Sequence, residues 1–524
     1  MSYQLDNPKT HPVTVFTIHH GPLPGYTSSL YCTGCRTTYK SDYYIQNDKR
    51  IYYLDHFNPN ERPAFLQSSK HIFMEWRLSS YFASGLAFAW YVTLSRLIMM
   101  LKLSLTRVSM SNSARIYNNA HQSIIGAYKH SNWPTTTTLT GPHVSDAFYL
   151  RALIEHCIKT GSPLIMSNSG TSQAERLRPL LEERNKLWQG PNRPEWDHCC
   201  DGCSIKTYAT DPANITNGWI RSMVTDGVTM GHPCCAVPHC ENALASHRLR
   251  YCPAHSAKEN ECSLNACSNP AEKGFKTCSN PQCREREERY DERKTAMFQL
   301  KRRLLSGYIK DNDTLSFIPE PTSNEIAVGM HHPPAKSSSN TRSQFGRSRT
   351  HNEQLCVGSC GIIIGRKTFF ASEGIENVLN FWRELFPSRR SKPSFMWFDN
   401  NCSVMKVLRS RPEDPLNQML LPVDVFHFKS KHKESDAFCG NHCNPLLFRH
   451  LKTSDNKWTF NSSAAEQTNA WFGKFQAISR ELRVDHYNFL LDEVIAMRNQ
   501  QRLGELEREG KKPFNLGRES LLRV

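Results

Sequence analysis

Eight cysteines fall between Cys234 and Cys283 of a 524-residue chain, and no other feature limits the possible folds as much. The block runs Cys234-Cys235, Cys240, Cys252-Pro-Ala-His255, then Cys262, Cys267, Cys278 and Cys283. Its loops are short, and it is too polar to fold by burial alone. Zinc takes four sulfur or nitrogen ligands in a tetrahedron, and closely spaced pairs on tight turns supply two each. The block divides into two such sets. One is Cys235 (or its neighbour Cys234), Cys240, Cys252 and His255; the other is Cys262, Cys267, Cys278 and Cys283. About two structural zinc ions are expected, each contributing on the order of 10 kcal/mol to folding. Four protein ligands leave no open position for water, so the role is structural.

The chain holds nineteen cysteines in all. Its opening, "MSYQLDNPKTHP", lacks the basic-then-apolar pattern of a secretion signal, which points to reduced thiols rather than a disulfide framework. Two more pairs lie outside the block, Cys32-x2-Cys35 and Cys200-x2-Cys203, each with half the ligands of a zinc site. They can complete one site together across the sequence, with His19, His20 and Cys199 as competing ligands.

A balance of 65 Lys+Arg against 49 Asp+Glu leaves a net charge of +16. A surplus of this size points to a polyanionic partner, either nucleic acid or an anionic membrane surface. The apolar stretch "LSSYFASGLAFAWYVTLS", between Arg77 and Arg96, only just reaches spanning length and is diluted by Ser and Thr. It reads as a buried helix, and a membrane partner is not expected.

The chain is long enough for two or three domains. Residues 1–70 read as strand-rich, with short strands broken by Pro, Gly and Asn/Asp turns, and residues 71–215 as a helical region. The pieces around "SMSNSARIYNNAH" and "WPTTTTLTGP" read as capped ends and loops. "VSDAFYLRALIEHCIKTG" is an amphipathic helix with Ala147, Leu150, Ile154, Cys157 and Ile158 along one side and Gly161 as its stop. "SQAERLRPLLEERNKLW" is another helix. A strand is expected at 216–232, the cysteine cluster at 233–290, and a charged helix with a flexible basic linker at 291–352. Within that linker, Lys336, Arg342, Arg347 and Arg349 suit a strap along phosphates; a plain linker explains them equally well. Residues 353–500 carry a strand or hairpin ("CGIIIGRKTFF"), a helix ("EGIENVLNFWRELF"), a buried strand ("PSFMWFDNN") and a helical tail. In that tail Trp471, Phe475, Ile478 and Leu482 stand at helical spacing, and residues 501–524 are a charged end.

Two-metal phosphodiester chemistry needs carboxylates converging from separate elements on two divalent cations. Asp226 and Asp399 end the apolar runs "SMVTD" and "FMWFD", and Glu466 sits near the start of a helix after "NSSAA". Strand, strand and helix is the layout such a site requires, although strand ends also carry Asp for turn geometry. The run "PVDVFHFKSKHKESDAFCGNHCNP" adds Asp424, His427, His432, Cys439 and Cys443, suited to phosphate, a further metal, or a small structural zinc in a surface loop.

The strings "TDGVTMGHPCCAVPHC", "FGRSRTHNEQL", "FMWFDNNC", "PVDVFHFKSKHKESDAFC" and "FNSSAAEQTNAWFG" resemble the Kyakuja-Dileera-Zisupton (KDZ) transposases, especially fungal members with two associated cysteine clusters. "HHGPLPGYTSSLYCTGCRTTYKSDYY" is similar to the first cluster, without an expected upstream cysteine pair, and residues 234–283 are similar to the second. The resemblance implies an α/β chain with an RNase H-like (DDE transposase-type) core, an inserted zinc-binding cysteine cluster and a mixed α+β N-terminal region. It implies Mg²⁺- or Mn²⁺-dependent DNA strand cleavage and transfer in the nucleus, by an active enzyme or a transposon-derived, inactive binding module. Asp226, Asp399 and Glu466 would be its catalytic acids, with His427 and His432 in the family's histidine-bearing stretch. DNA, as transposon ends or target, is the implied partner, alongside a homo-oligomer of the chain. The run "VTLSRLIMMLKLSLTRVSMS" stands where the family has a short connection.

Overall fold

The structure, a computed structural model, describes residues 5–54, 61–88, 109–170, 172–207, 218–264, 267–295, 297, 300, 345–433 and 435–523. The chain forms two compact units. The first comprises 1–228, 354–367 and 374–524, and the second 229–353 with 368–373. The second unit is thus inserted in the sequence of the first.

The N-terminal part of the first unit is built on strands β1 (Leu5–Thr17), β2 (Gly21–Cys32), β3 (Thr37–Tyr39), β4 (Tyr43–Gln46), β5 (Lys49–Tyr52), β6 (Phe65–Ser69) and β7 (Ile72–Glu75). These are less fragmented than expected, because β1 and β2 form one long antiparallel hairpin, with Val15 opposite Leu23 and His11 opposite Thr27. β7 pairs parallel to β1, leaving Pro12 outside that paired stretch, where its missing N–H costs no ladder bond.

Helices α1 (Trp76–Phe88), α2 (Met110–Ala120), α3 (Gln122–Lys129) and α4 (Gly141–Thr160) follow, then β8 (Ile165–Ser167) and α5 (Gln173–Leu187). β8 joins the first sheet at its edge, giving the order β6-β7-β1-β2-β3-β4-β5-β8. The Ser/Asn-rich piece read as loop is the helix α2. Ser109 caps it by accepting from Asn112 N at 3.2 Å, and burial of Ala114 and Tyr117 overrides its weak propensity. α4 begins at its Thr140 cap and ends at Gly161, whose left-handed φ of 66° closes the helix on Cys157 O. Its expected stripe is buried at Ala147, Leu150, Ile154 and Cys157, but Phe148, Tyr149, Ala152 and Leu153 are buried too. The helix is therefore enclosed on more than one side. Phe16, Met74, Leu78, Phe82, Tyr117 and Val144 close this core. No described helix is long and apolar enough to cross a membrane. The part of the apolar stretch after Phe88 lies outside the described residues, as does most of "VTLSRLIMMLKLSLTRVSMS".

Before the insertion come β9 (His198–Cys199), which lies outside the second sheet, and β10 (Ser204–Lys206) and β11 (Trp219–Val228), which belong to it. The inserted unit holds β12 (Pro233–Cys234), α6 (Pro281–Lys294) and β13 (Ser348–Arg349), and β14 (Asn352–Gly358) and β15 (Ile363–Phe369) follow. β13 pairs with β12, so the C-terminal end of the expected linker is ordered structure; Lys336 and Arg342 lie outside the described residues. Next come α7 (Ile375–Leu385), β16 (Phe395–Trp397), α8 (Asn401–Arg409), α9 (Val425–Lys431), α10 (Ala437–His442), α11 (Ala464–Phe472), α12 (Gln476–Ser479), α13 (Val484–Arg508), β17 (Phe514–Asn515) and α14 (Arg518–Leu522).

The five-stranded sheet runs β10-β11-β14-β15, with β16 also on β11. β10 lies antiparallel to the start of β11. β16 lies parallel to its middle, with Ser222, Met223 and Val224 opposite Phe395, Met396 and Trp397. The four-residue link between β14 and β15 is too short for a parallel crossover, so these two form a hairpin. Ile220 to Thr225 are buried without interruption, the mark of a central strand covered on both faces. The tail is not one helix. Gly473 interrupts it with a 3₁₀ turn, which leaves Trp471 and Phe475 in the core and Ile478 and Leu482 half-buried. Along α13, Asp492 and Glu493 meet the buried guanidinium groups of Arg193, Arg366 and Arg184.

Candidate active site and metal centres

Asp226 stands where β11 leaves the core, at the point where burial falls off along the strand. Asp399 lies two residues beyond β16, which is the parallel neighbour of β11. Glu466 is in the first turn of α11, which packs on β11. These three acids line one open cleft with Val224, Thr225, Phe398, Asp424, His427, Ser462 and Ser463. Residues 240 positions apart in sequence are thereby brought to one opening, Glu466 exposed and the two aspartates half-buried.

Burial is the main cause that holds the Asp226 carboxyl above the ordinary carboxylate range. The neighbouring Asp399 pushes the same way, while bonds from Asn469 and Gly227 and the charge of His427 oppose it. Asp226 Oδ2 accepts from Asn469 Nδ2 at 2.9 Å, and Oδ1 accepts from Gly227 N at 2.8 Å. The second bond is the turn role that the sequence left open, and it coexists with the placement in the cleft. A divalent cation beside Asp226 would relieve the cost that burial and the neighbouring carboxylate place on its ionisation. The three acids are not drawn together as tightly as the cysteine groups described below, whose donor atoms all lie within 4.8 Å of one another.

Asp424 has a different task. Its Oδ1 accepts from Phe426 N at 3.0 Å and His427 N at 3.1 Å, capping α9, and it also meets His427 Nδ1 at 3.1 Å. Ser463 Oγ donates to its other oxygen at 3.3 Å. It is a cap that orients His427 at the rim. Asn469 is a site residue that sequence reading missed; its only signal was its place one turn after Glu466. Asn401, also missed, is fully buried and donates to Met396 O and Pro422 O, fixing the loop that carries Asp399.

Among the described residues, four groups of side chains have metal-ligand chemistry and spacing. Two are the predicted sets. In the first, Cys235 rather than Cys234 joins Cys240, Cys252 and His255. Cys240 and Cys252 Sγ lie 3.8 Å apart, and His255 Nδ1 is 3.3 Å from Cys252 Sγ and 3.6 Å from Cys235 Sγ. In the second, Cys262, Cys267, Cys278 and Cys283 converge, with Cys267 and Cys278 Sγ 3.7 Å apart. Tetrahedral zinc with 2.3 Å bonds to sulfur has edges of about 3.8 Å, so the spacings fit. The Cys252 thiol is brought down to about 7 against its burial by the Cys235, Cys240 and His255 groups around it. Both sets lie in the inserted unit, whose apolar clusters consist largely of these same cysteines.

The third group, Cys402, His432, Asp436 and Cys439, lies beside the cleft. The Cys402 and Cys439 sulfurs are in bonding contact as a disulfide pair, and His432 Nδ1 faces them at 3.4 and 3.3 Å. Reduced, the pair offers two thiolates to a metal. The other ring nitrogen of His432 sits 2.9 Å from Asp399 O, so whatever holds His432 also holds the loop bearing Asp399. This group draws in His432 and Cys439 of the histidine-bearing run but leaves out Cys443.

The fourth group is His198, Cys200, Cys203 and Cys360. Cys200 and Cys203 are therefore completed by His198 and Cys360, not by Cys32 and Cys35, and Cys199 instead donates to Ser204 Oγ at 2.9 Å. Among the described residues no third His, Cys, Asp or Glu joins Cys32 and Cys35. Cys35 lies 3.7 Å from Tyr39 Oη. Hydrogen bonds from Thr37 and Tyr39 hold its thiol down at about 7.

Residues 224–290 match the family model of the CxC6 like cysteine cluster associated with KDZ transposases. Residues 1–121 match that of the CxC5 like cysteine cluster associated with KDZ transposases. No curated protein and no solved structure matched the chain.

Proposed function

We propose that the chain, two segments of which match cysteine clusters associated with KDZ transposases, is a DDE-type transposase, or a protein derived from one. On this reading it binds DNA in the nucleus and cleaves and transfers strands with divalent metal. The observation that carries the reading is the meeting of Asp226, Asp399 and Glu466 in one cleft, from two adjacent parallel strands and one helix. The sheet order supports an RNase H-like core. A central β11 lies between the β14–β15 hairpin side and parallel β16, and the cysteine-cluster unit is inserted in sequence between β11 and β14.

Mg²⁺ or Mn²⁺ bound there would supply an activated hydroxyl and stabilise the leaving oxygen. Asp226 and Asp399 would be the ligands from the strands, with Glu466 facing them from α11. The side chain of Asn469 fixes the orientation of Asp226, and His427, held by Asp424, presents a polar ring at the rim where a phosphate would approach. Zinc at the Cys235 and Cys262 sets would fold the inserted unit. The net charge of +16 favours a polyanionic substrate.

A second reading, an inactive DNA-binding derivative, is favoured by the existing bonds on both Asp226 oxygens and by the looser spacing of the acids. Nicking of supercoiled DNA with Mn²⁺ separates the two. The first reading expects cleavage by the wild type that Asp226→Asn, Asp399→Asn and Glu466→Gln each abolish while DNA binding persists. Binding without cleavage by the wild type would leave the second.

A further inference from the structure

We propose that His198, Cys200, Cys203 and Cys360 form a structural zinc site, separate from both cysteine clusters, that staples the five-stranded sheet across the insertion in its sequence. Neither matched segment, 1–121 or 224–290, contains any of these residues. All four are buried, at 1%, 0%, 1% and 6% exposure respectively.

The local sequence builds the site in two pieces. In the first, "HCCDGC", Cys203 N and Ser204 N both bond to Cys200 O, at 3.0 and 2.9 Å, which folds the pair into a tight knuckle. His198 enters from β9, held by its pairing with Asn515 of β17. The second piece is the turn of the β14–β15 hairpin, where Gly361 N bonds to Gly358 O at 2.7 Å and sets Cys360 at the tip. Arg502 Nε donates to Cys360 O at 2.8 Å, fixing that tip from α13. The two pieces close tightly: a Cβ on Gly202 would lie 3.1 Å from Cys360 Cβ, so a larger residue there would push them apart.

The donor atoms then fall where zinc needs them. Cys200 and Cys203 Sγ are 3.7 Å apart, and Cys360 Sγ is 3.4 Å from His198 Nε2. Zinc bonds of about 2.3 Å to sulfur and 2.0–2.1 Å to nitrogen give tetrahedral edges of this size. The three cysteines are free thiols. With four protein ligands and full burial, no coordination position is left for water, so the ion would hold structure rather than catalyse.

The purpose follows from the connectivity. Cys203 leads directly into β10, and Ser222 N on β11 bonds to Cys203 O at 2.9 Å, while Ser359 N bonds to Ser222 O at 3.1 Å. The knuckle lies before the inserted segment 229–353 in sequence and the hairpin tip lies after it. One ion across them removes the closure entropy of that long excursion from the folding of the sheet.

The test is zinc stoichiometry of the full reduced chain, by elemental analysis, in the wild type, His198→Ala and His198→Cys. The wild type is expected to hold at least three zinc ions, His198→Ala one fewer, and His198→Cys the full number. After replacement of zinc by cobalt(II), His198→Cys is expected to gain sulfur-to-cobalt charge-transfer intensity, since a fourth thiolate enters the shell. A wild-type count of two or fewer would overturn the proposal, as would an unchanged count in His198→Ala. If His198→Ala does not fold, His198→Cys decides: the full count with the stronger band supports the site, and loss of the ion or an unchanged band overturns it.

Discussion

Replacing Cys278 by Ser removes one of four sulfurs from the set that folds the C-terminal half of the inserted cluster. The residues packed with those cysteines are Leu264, Phe345 and Tyr290, the last only partly buried. At roughly 1.5–3 kcal/mol for each fully buried apolar side chain, they contribute about 5–9 kcal/mol at most. Ordering a backbone costs about 1–2 kcal/mol per residue, so three such contacts cannot fold a segment that runs from Cys262 to the end of α6. One structural zinc contributes on the order of 10 kcal/mol and is the largest single term in this segment. Cys278→Ser is therefore expected to lose one zinc per chain and to strip hydrogen-exchange protection from 262–294. The Cys235 set has its own small cluster around Ala236 and Tyr251, so residues 235–255 should keep most of theirs. Peptide-resolved exchange on the full chain, with elemental zinc analysis, reads both effects. Unchanged zinc and unchanged protection at 262–294 in the variant would refute the reasoning.

Three further outcomes follow from particular contacts. Asp492 is shared by Arg193 and Arg366 at 2.8 Å each, so Asp492→Asn leaves two buried cations undercompensated and should cost about 3–5 kcal/mol in urea unfolding. Burial works against the Asp492 charge, but Arg366 and Arg193 outweigh it and hold its carboxyl below the usual value. A depressed carboxyl stabilises above its unfolded pKa of about 3.9 and loses that contribution as pH falls further. Wild type should therefore lose more stability than Asp492→Asn below about pH 4; parallel acid limbs would contradict this. Asp226 has the opposite sign: its carboxyl is raised, chiefly by burial, so its ionised form disfavours folding as pH rises through the folded value. Asp226→Asn should unfold at higher temperature than wild type in metal-free neutral buffer, by a stability gain of order 1 kcal/mol, and a lower melting temperature would count against a strained acid there. Finally, Glu287 accepts from Lys276 N at 2.8 Å and Thr277 Oγ1 at 2.6 Å, steadying the turn before Cys278. Glu287→Ala should weaken zinc retention against a competing chelator by about 10–100-fold, and unchanged retention would make that carboxylate incidental.

The readable parts of the sequence were those in which chemistry dictates spacing. The eight candidate ligands of the inserted unit stood out because soft ligands on tight turns leave a pattern that needs no tertiary information. The choice of Cys235 over Cys234 needed the structure, because both thiols are buried and only that of Cys235 meets Cys240, Cys252 and His255. Asp226 and Asp399 stood out because apolar runs end at them. Cys360, by contrast, has only Cys356 near it in sequence, which joins no ligand group, and its partners are some 160 residues earlier, so no local pattern marks it. β14 was hidden by its own composition: Asn352, Glu353 and Gln354 read as polar loop yet are buried, at 4%, 0% and 0% exposure. α2 was hidden for the reverse reason, since Ser and Asn favour caps until Ala114 and Tyr117 find a core to enter. The long β1–β2 hairpin was masked by prolines at positions that the sheet tolerates.

The central claim is that Asp226, Asp399 and Glu466 together receive divalent metal. A crystal of the full chain soaked in Mn²⁺, with anomalous scattering used to place the ion, tests it directly. The account predicts manganese in the cleft, about 2.0–2.2 Å from oxygens of both aspartates, with Asn469 released from Asp226 Oδ2 as the carboxylate turns toward the metal. A cleft free of manganese, with the Asn469 bond intact at saturating Mn²⁺, would contradict it.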